Sequence, residues 1–199
     1  NMIGRSKEFW DTHYPKLQEL FPEQLQGISV EDFYKHINRS EASYIRIEAD
    51  ELSYPLHIML RYDLEKGIIS GEYDVDNLDQ IWNKLYQEYF GIEVPNSSKG
   101  ILQDMHWSGG LIGYFPTYAL GSAYSAQIYH HMAKDIDIEK EIRSGKTTAI
   151  NNWLKEKIHF HGATLFPKEL IKLATGEDFN PNYYIDYLIN KFKRIYGID

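Results

Sequence analysis

Two short stretches of the chain gather side chains with unlike hydrogen-bonding roles at close spacing. One is Gly100-Ile-Leu-Gln103-Asp104-Met-His106-Trp107, followed by Gly109-Gly110 and by Gly113-Tyr114-Phe115-Pro116-Thr117-Tyr118. Asp104, two residues before His106, is placed to orient the imidazole and fix its tautomer, so that the other ring nitrogen faces a ligand. Tyr114 and Tyr118, four apart, can offer phenolic donors from one face. The same composition also suits a tight Gly and aromatic corner whose polar atoms satisfy one another, and spacing alone leaves both readings open. The other stretch runs from about Tyr44 to Glu65. Drawn as one helix, it places Ile45, Ala49, Leu52, Leu56, Met59 and Leu60 in an apolar stripe, with Arg46, Asp50, Tyr54, His57 and Arg61 beside it. Such a polar stripe suits the wall of a cleft, and the lack of Lys and Glu within it favours that reading. The commoner outcome is a solvated face with i,i+4 pairs such as Arg46–Asp50. Pro55 lies inside this helix and predicts a kink.

Familiar enzymatic signatures are missing. The sequence has no GxGxxG, no P-loop, no GxSxG and no HExxH. Of the eight histidines, His130-His131 and His159-x-His161 invite a metal reading. Adjacent histidines on a helix face different ways, however, and a helical ligand pair needs i,i+4 spacing. Structural or surface roles are expected for these four, and no metal ligand is assigned to any residue.

The elements that must position these side chains read as helices almost throughout. Ser6 is placed to cap a first helix carrying Phe9, Trp10 and Tyr14, broken by Pro15 and then Pro22. Val30, Phe33, Tyr34 and Ile37 follow Ser29 at helical spacing. Gly67 to Tyr73 reads as a turn. Asp76 or Asn77 caps a helix through Leu85, Tyr89 and Phe90, which Gly91 ends. Residues 92–100 form a loop, and the Gly, Trp and Tyr-rich stretch after it is poorly periodic. Helices are then predicted from about Pro116 to Lys134, and over Ile138 to Ser144, Thr147 to His159, Pro167 to Thr175 and Pro181 to Tyr196. Strand-type alternation is scarce. The fold class is mainly α, with at most a short β hairpin, and residues 1–199 read as a single helical unit.

Composition narrows the function further. Of 199 residues, 43% are hydrophobic and 15% aromatic, enough for one substantial core or one large piece of a bigger domain. A formal net charge of −8 argues against nucleic acid as a partner. With no cysteine, disulfides, thiolate nucleophiles and Cys-based metal sites are excluded. No apolar run approaches the ~20 residues needed to cross a bilayer. No charged and then apolar leader opens the chain, so a cytoplasmic location follows by default. The abrupt start at Asn1 reads like a chain cut from a longer one.

Two motifs carry a resemblance. Ile45-Arg46-Ile47-Glu48-Ala49-Asp50 matches I-R-x-x-A-D, and Gly100, Gln103, Asp104, His106 and Trp107 match G-x-x-Q-D-x-H-W. Together they resemble the carboxypeptidase Taq family, also called thermostable carboxypeptidase 1. Leu56-His57-Ile58 with Arg61, and Gly113 to Tyr118, are similar to the family's continuations, as is the opening Gly4-Arg5-Ser6 with Phe9-Trp10. The likeness therefore covers nearly the whole chain. It implies a mostly helical, grooved fold that forms homodimers and a metallocarboxypeptidase that removes single residues from peptide C-termini. Family members carry HExxH and a further Glu in an H-E-S segment, both upstream of where this chain begins. None of the histidines here is followed by Glu. The resemblance thus implies a C-terminal part without the metal ligands, its Zn2+ or Co2+ belonging to the longer enzyme. It makes Arg46, and after it Arg61, the candidates for the substrate's terminal carboxylate. His106, backed by Asp104, becomes the candidate for the oxyanion or scissile carbonyl, with Tyr114 or Tyr118 as a second donor. Gln103 is expected to order the corner and Trp107 to pack the cleft wall. Separation from the other wall of a groove is expected to leave apolar surface exposed. The competing expectation is a non-catalytic helical module that binds peptides or partners without turnover.

Overall fold

A computed structural model describes residues 1–198. They form nine α-helices joined by turns and single 3-10 turns, with no strand among the described residues. None of these helices is long and apolar enough to cross a membrane. The chain divides into two compact units, one of residues 39–121 and one of residues 1–38 with 122–199.

The unit of residues 39–121 holds both motifs. Its helices are α3 (Tyr54–Ser70) and α4 (Leu78–Phe90), and the first residues of α5 (Pro116–Asp135) also belong to it. Leu60, Leu64, Trp82, Leu85 and Tyr86 make the core between α3 and α4, and Tyr44, Val94, Ile101 and Trp107 pack against it. The sequence-predicted helix from Tyr44 to Glu65 is corrected here. The α-helix starts at Tyr54, and in the stretch before it only Arg46–Glu48 are helical, as a single 3-10 turn. Asp50 is the reason. Its carboxylate accepts from the Leu52 and Ser53 amides at 2.9 Å each and from Ser53 Oγ at 2.7 Å, a local bonding pattern that competes with a helical ladder. Pro55 therefore sits in the first turn of α3 and makes no kink, because its missing N–H would have had no helical partner there. The turn predicted at Gly67 also moves: α3 continues to Ser70 and ends on Gly71 in the left-handed region. Gly67 stays helical and lets the Tyr73 ring lie against its backbone, where an added Cβ would fall within 2.2 Å of the ring.

The other unit contains α1 (Lys7–Leu20), α2 (Val30–Ile37), the rest of α5, α6 (Ile138–Arg143), α7 (Thr148–Lys157), α8 (Pro167–Thr175) and α9 (Asn182–Tyr196). These bounds follow the periodicity closely. Ser6 caps α1 through its side chain, as expected, and Ser29 caps α2 in the same way. Pro15, in contrast, does not break α1, which runs through it to Leu20. The neighbouring Tyr14 is buried and its hydroxyl donates to the Ile28 carbonyl at 2.9 Å, so tertiary contacts hold the segment. Met132, Ile138, Ile142, Ile150 and Trp153 form one cluster, with Phe9 against it; Tyr34, Leu188, Phe192 and Ile195 form another. Gln127, fully buried, ties α5 to the end of α8. It donates to Thr175 Oγ1 and the Asp178 carbonyl, and accepts from the Asn180 amide.

Candidate functional site

In the unit of residues 39–121 the two motifs meet at Asp104. Arg46 donates to Asp104 Oδ1 through Nε at 3.0 Å and Nη2 at 2.7 Å. Arg61, a helical neighbour of His57 on α3, donates through Nε to Asp104 Oδ2 at 2.6 Å. All three side chains are buried, at 8%, 0% and 7% exposure for Arg46, Arg61 and Asp104. Burial alone would raise the Asp104 carboxyl, but hydrogen bonds and charge from both arginines outweigh it and hold it below the ordinary 3.8. Burial likewise opposes the charge on Arg46, and its bonds to Asp104 more than offset that. For Arg61, fully buried and facing the charge of Arg46 as well, burial prevails and lowers its proton affinity.

Aromatic rings enclose the arginines. The Arg46 guanidinium carbon lies 5.0 Å from the Tyr118 ring centre and 5.6 Å from that of Phe115, while Arg61 lies 4.8 Å from Trp82. Arg46 Nη1 also donates to Tyr54 Oη at 3.3 Å. A guanidinium has five N–H donors. Three on Arg46 are engaged, leaving one on each terminal nitrogen without a partner among the described residues. The two guanidinium groups share a single carboxylate, so the cluster keeps one positive charge that no carboxylate pairs.

His106 stands beside this cluster. Its Nε2 is 3.0 Å from Tyr118 Oη, and its ring lies 4.4 Å from Phe115 and 5.8 Å from Tyr114. The Asp104–His106 relation anticipated from spacing is looser than a hydrogen bond. Nδ1 is 3.8 Å from Asp104 Oδ1 and has no bonding partner, because Asp104 is committed to the arginines. Tyr118, twelve residues on, is what contacts the imidazole. Gln103 donates to the Lys99 carbonyl at 2.6 Å and orders the turn. Trp107 packs edge-on against Trp82 and Phe115. Tyr114 is 42% exposed and the most open of these groups.

The Arg46–Asp50 pair does not form, since Asp50 serves the turn before α3 and Arg46 reaches Asp104. His57 has no exposed surface, and burial, then the charges of Arg61 and Arg46, push it down to about 3. It is neutral at any ordinary pH, with Nδ1 3.4 Å from Tyr86 Oη and Nε2 without a partner. Sequence reading missed Tyr54 as a partner of Arg46, and it missed Glu65, one turn beyond Arg61, whose carboxylate accepts the Gly113 amide. Continuing the His57, Arg61 spacing by four residues would have found Glu65.

In the other unit His131 Nε2 lies 2.7 Å from Glu177 Oε1, and Tyr183 Oη donates to the same oxygen at 2.5 Å. His130 packs on the Tyr183 ring. Among the described residues no three His, Asp or Glu side chains converge so as to hold a metal ion. These residues do not fit a catalytic metal.

Comparison with known proteins agrees with the motifs. The model of the carboxypeptidase Taq (M32) metallopeptidase family matches residues 1–192. Carboxypeptidase 1 of Bacillus subtilis (strain 168) is 49% identical over 197 residues, covering 98% of this chain and 39% of its own length. Thermostable carboxypeptidase 1 of Pyrococcus furiosus is 42% identical over 193 residues, covering 96% and 38%. The crystal structure of the M32 carboxypeptidase from Deinococcus radiodurans R1 superposes with a TM-score of 0.96 at 36% identity, over 100% of this chain and 40% of that one. The chain thus spans about two-fifths of the length of the relatives it matches, and over that span it shares their sequence and their helical fold. It belongs to the carboxypeptidase Taq (M32) metallopeptidase family.

Proposed function

We propose that this chain supplies the carboxylate-binding and carbonyl-facing part of a metallocarboxypeptidase that removes single amino acids from peptide C-termini. The observation that carries the reading is the unpaired positive charge of the Arg46–Asp104–Arg61 cluster. A low-dielectric site with an excess guanidinium attracts an anion, and a planar fork with a free N–H on each terminal nitrogen matches a carboxylate. Asp104 holds the Arg46 fork in place through its other donors, so a peptide's terminal carboxylate meets an oriented cation. Arg61, wholly buried, contributes charge to the site without direct contact. His106 and Tyr118, bonded to each other and adjacent to Arg46, are the groups to donate toward the scissile carbonyl, with Tyr114 at the more open side. A donor aimed at developing negative charge in a dry site is worth about 3 kcal/mol of barrier. Gln103 and Trp107 keep the wall in place.

In a longer polypeptide, the family's metal would supply the activation of the attacking water. No group among the described residues fits it, and we assign that step to none of them. Zinc or cobalt, a homodimeric assembly and a cytoplasmic location complete the reading for a longer polypeptide containing this segment.

The test is calorimetric titration of this chain with a short peptide and with its C-terminal amide, alongside metal analysis and a carboxypeptidase assay with and without added zinc or cobalt. Binding of the free acid at least tenfold tighter than the amide is expected, with Arg46→Lys weakening only the acid. Equal affinities, or no binding of either, would remove the carboxylate role. Stoichiometric metal with release of C-terminal residues would show that histidines here form a site, and the division of labour would fall.

A further inference from the structure

The Glu65 carboxylate occupies a costly position. It is 6% exposed, and the groove of about 310 Å³ that it lines is otherwise walled by Tyr62, Lys66, Ile69, Ile112, Gly113 and Pro116. No Lys or Arg comes within ion-pair reach of it among the described residues, and its Oε2 has no hydrogen-bond partner. A buried carboxylate without a cation is unfavourable unless its hydrogen bonds do something specific. Its one bond is to the backbone amide of Gly113.

Gly113 sits at the middle of the loop that builds the surroundings of His106. On its near side, the Leu111 amide donates to the His106 carbonyl at 2.8 Å, folding the loop back over that residue. On its far side come Tyr114 and Phe115, both against the His106 ring, and then Tyr118, which reaches His106 Nε2 from the first turn of α5. Gly113 has φ +77°, a conformation that side-chain-bearing residues rarely adopt. The loop therefore turns at a residue whose backbone is intrinsically free; the Glu65 carboxylate bonds that residue to α3, and two residues on, the buried Phe115 ring packs against Arg61 of the same helix. The same helix carries Arg61 one turn earlier, so the link sets the imidazole face against the arginine cluster.

We propose that Glu65 is a positioning residue for His106, acting through the Gly113 amide. The proposal rests on the reading of His106 as a donor toward the substrate carbonyl. It uses nothing of the carboxylate-binding role assigned to Arg46.

The test follows two observables on the intact chain by NMR: hydrogen exchange of the Gly113 amide and the pH titration of the His106 ring. Glu65→Leu removes the acceptor, Glu65→Asp keeps the charge but withdraws it by one methylene, and Glu65→Gln keeps an acceptor in place. Leu and Asp are expected to speed Gly113 exchange at least tenfold and to shift the His106 titration, with core amides such as Leu60 and Leu64 unchanged. Gln should hold both observables within about twofold of the parent. Should Glu65→Leu fail to fold, the Asp and Gln pair decides. Unchanged Gly113 exchange in Glu65→Asp overturns the proposal, as does loss of protection spread evenly through the core, which marks a merely structural carboxylate. If His106 responds as expected while free-acid and amidated peptides bind alike, the positioning role stands and the functional reading falls.

Discussion

At the scale of single residues, charge and burial decide what each group can do. Asp104 sits between two buried guanidinium groups, so replacing it with Asn leaves both cations short of a counter-charge. Removing one partner of a buried pair typically costs about 3–5 kcal/mol, and Asp104→Asn should lose that much in urea denaturation. A change below about 1 kcal/mol would mean the arginines find other partners or solvent. The folded carboxyl lies below its ordinary value, so its contribution is present at neutral pH and is lost as the pH drops below about 3.8. His57 acts in the same direction at a higher pH. The unfolded chain takes up its proton below 6.5, whereas the folded chain refuses it until about 3. The unfolded state therefore binds more protons between those values. Stability should rise with pH across that window, by up to about 1.4 kcal/mol per unit from this group. Denaturation at a series of pH values should show the slope, and His57→Gln should flatten it. An unchanged slope would place the acid sensitivity elsewhere.

At the scale of elements, two prolines make opposite predictions. Pro55 occupies the first turn of α3, where no helical N–H is needed, and Pro55→Ala should change stability by less than about 1 kcal/mol. Pro15 lies inside α1 on an exposed position and removes a backbone bond from an intact helix. Interior proline is about 3 kcal/mol worse than Ala, so Pro15→Ala should raise the thermal midpoint. A lowered midpoint would show that α1 needs the bend. Most helices of the last third were legible because they have apolar residues at helical spacing with Pro near the start or Gly close to the end, as in α6, α8 and α9. Residues 44–53 were not, since the wheel that placed Arg46 and Asp50 together assumed a helix that the Asp50 side chain prevents.

At the scale of the whole molecule, each unit has its own core yet leaves large apolar side chains in water. Ile47, Ile69, Leu102 and Met105 are all at least 70% exposed, and all lie in the unit that holds both motifs. In a chain spanning two-fifths of its relatives' length, these are the side chains to watch. Hydrophobic-dye fluorescence at neutral pH should be elevated, and sedimentation should show self-association as concentration rises. A sharp monomer at high concentration with no dye binding would show that these side chains are tolerated singly. Ile47→Ser with Met105→Ser should lower the dye signal without altering the helical spectrum.

The sequence by itself determined the helical class, most helix ends, the family, and the two motifs that carry the candidate site. These are local properties: periodicity, caps and short runs of fixed residue types are written in consecutive positions. What only the tertiary structure decided is which of those residues face one another. Asp104 is two residues from His106 in the chain, yet its oxygens are taken by Arg46 and Arg61, 58 and 43 residues away. His106 turns instead to Tyr118, and Glu65 reaches Gly113 across 48 residues. A buried carboxylate goes to the strongest donors that packing brings within reach. That choice depends on how α3, the Gly100 turn and the start of α5 close around one another, which spacing along the chain does not encode.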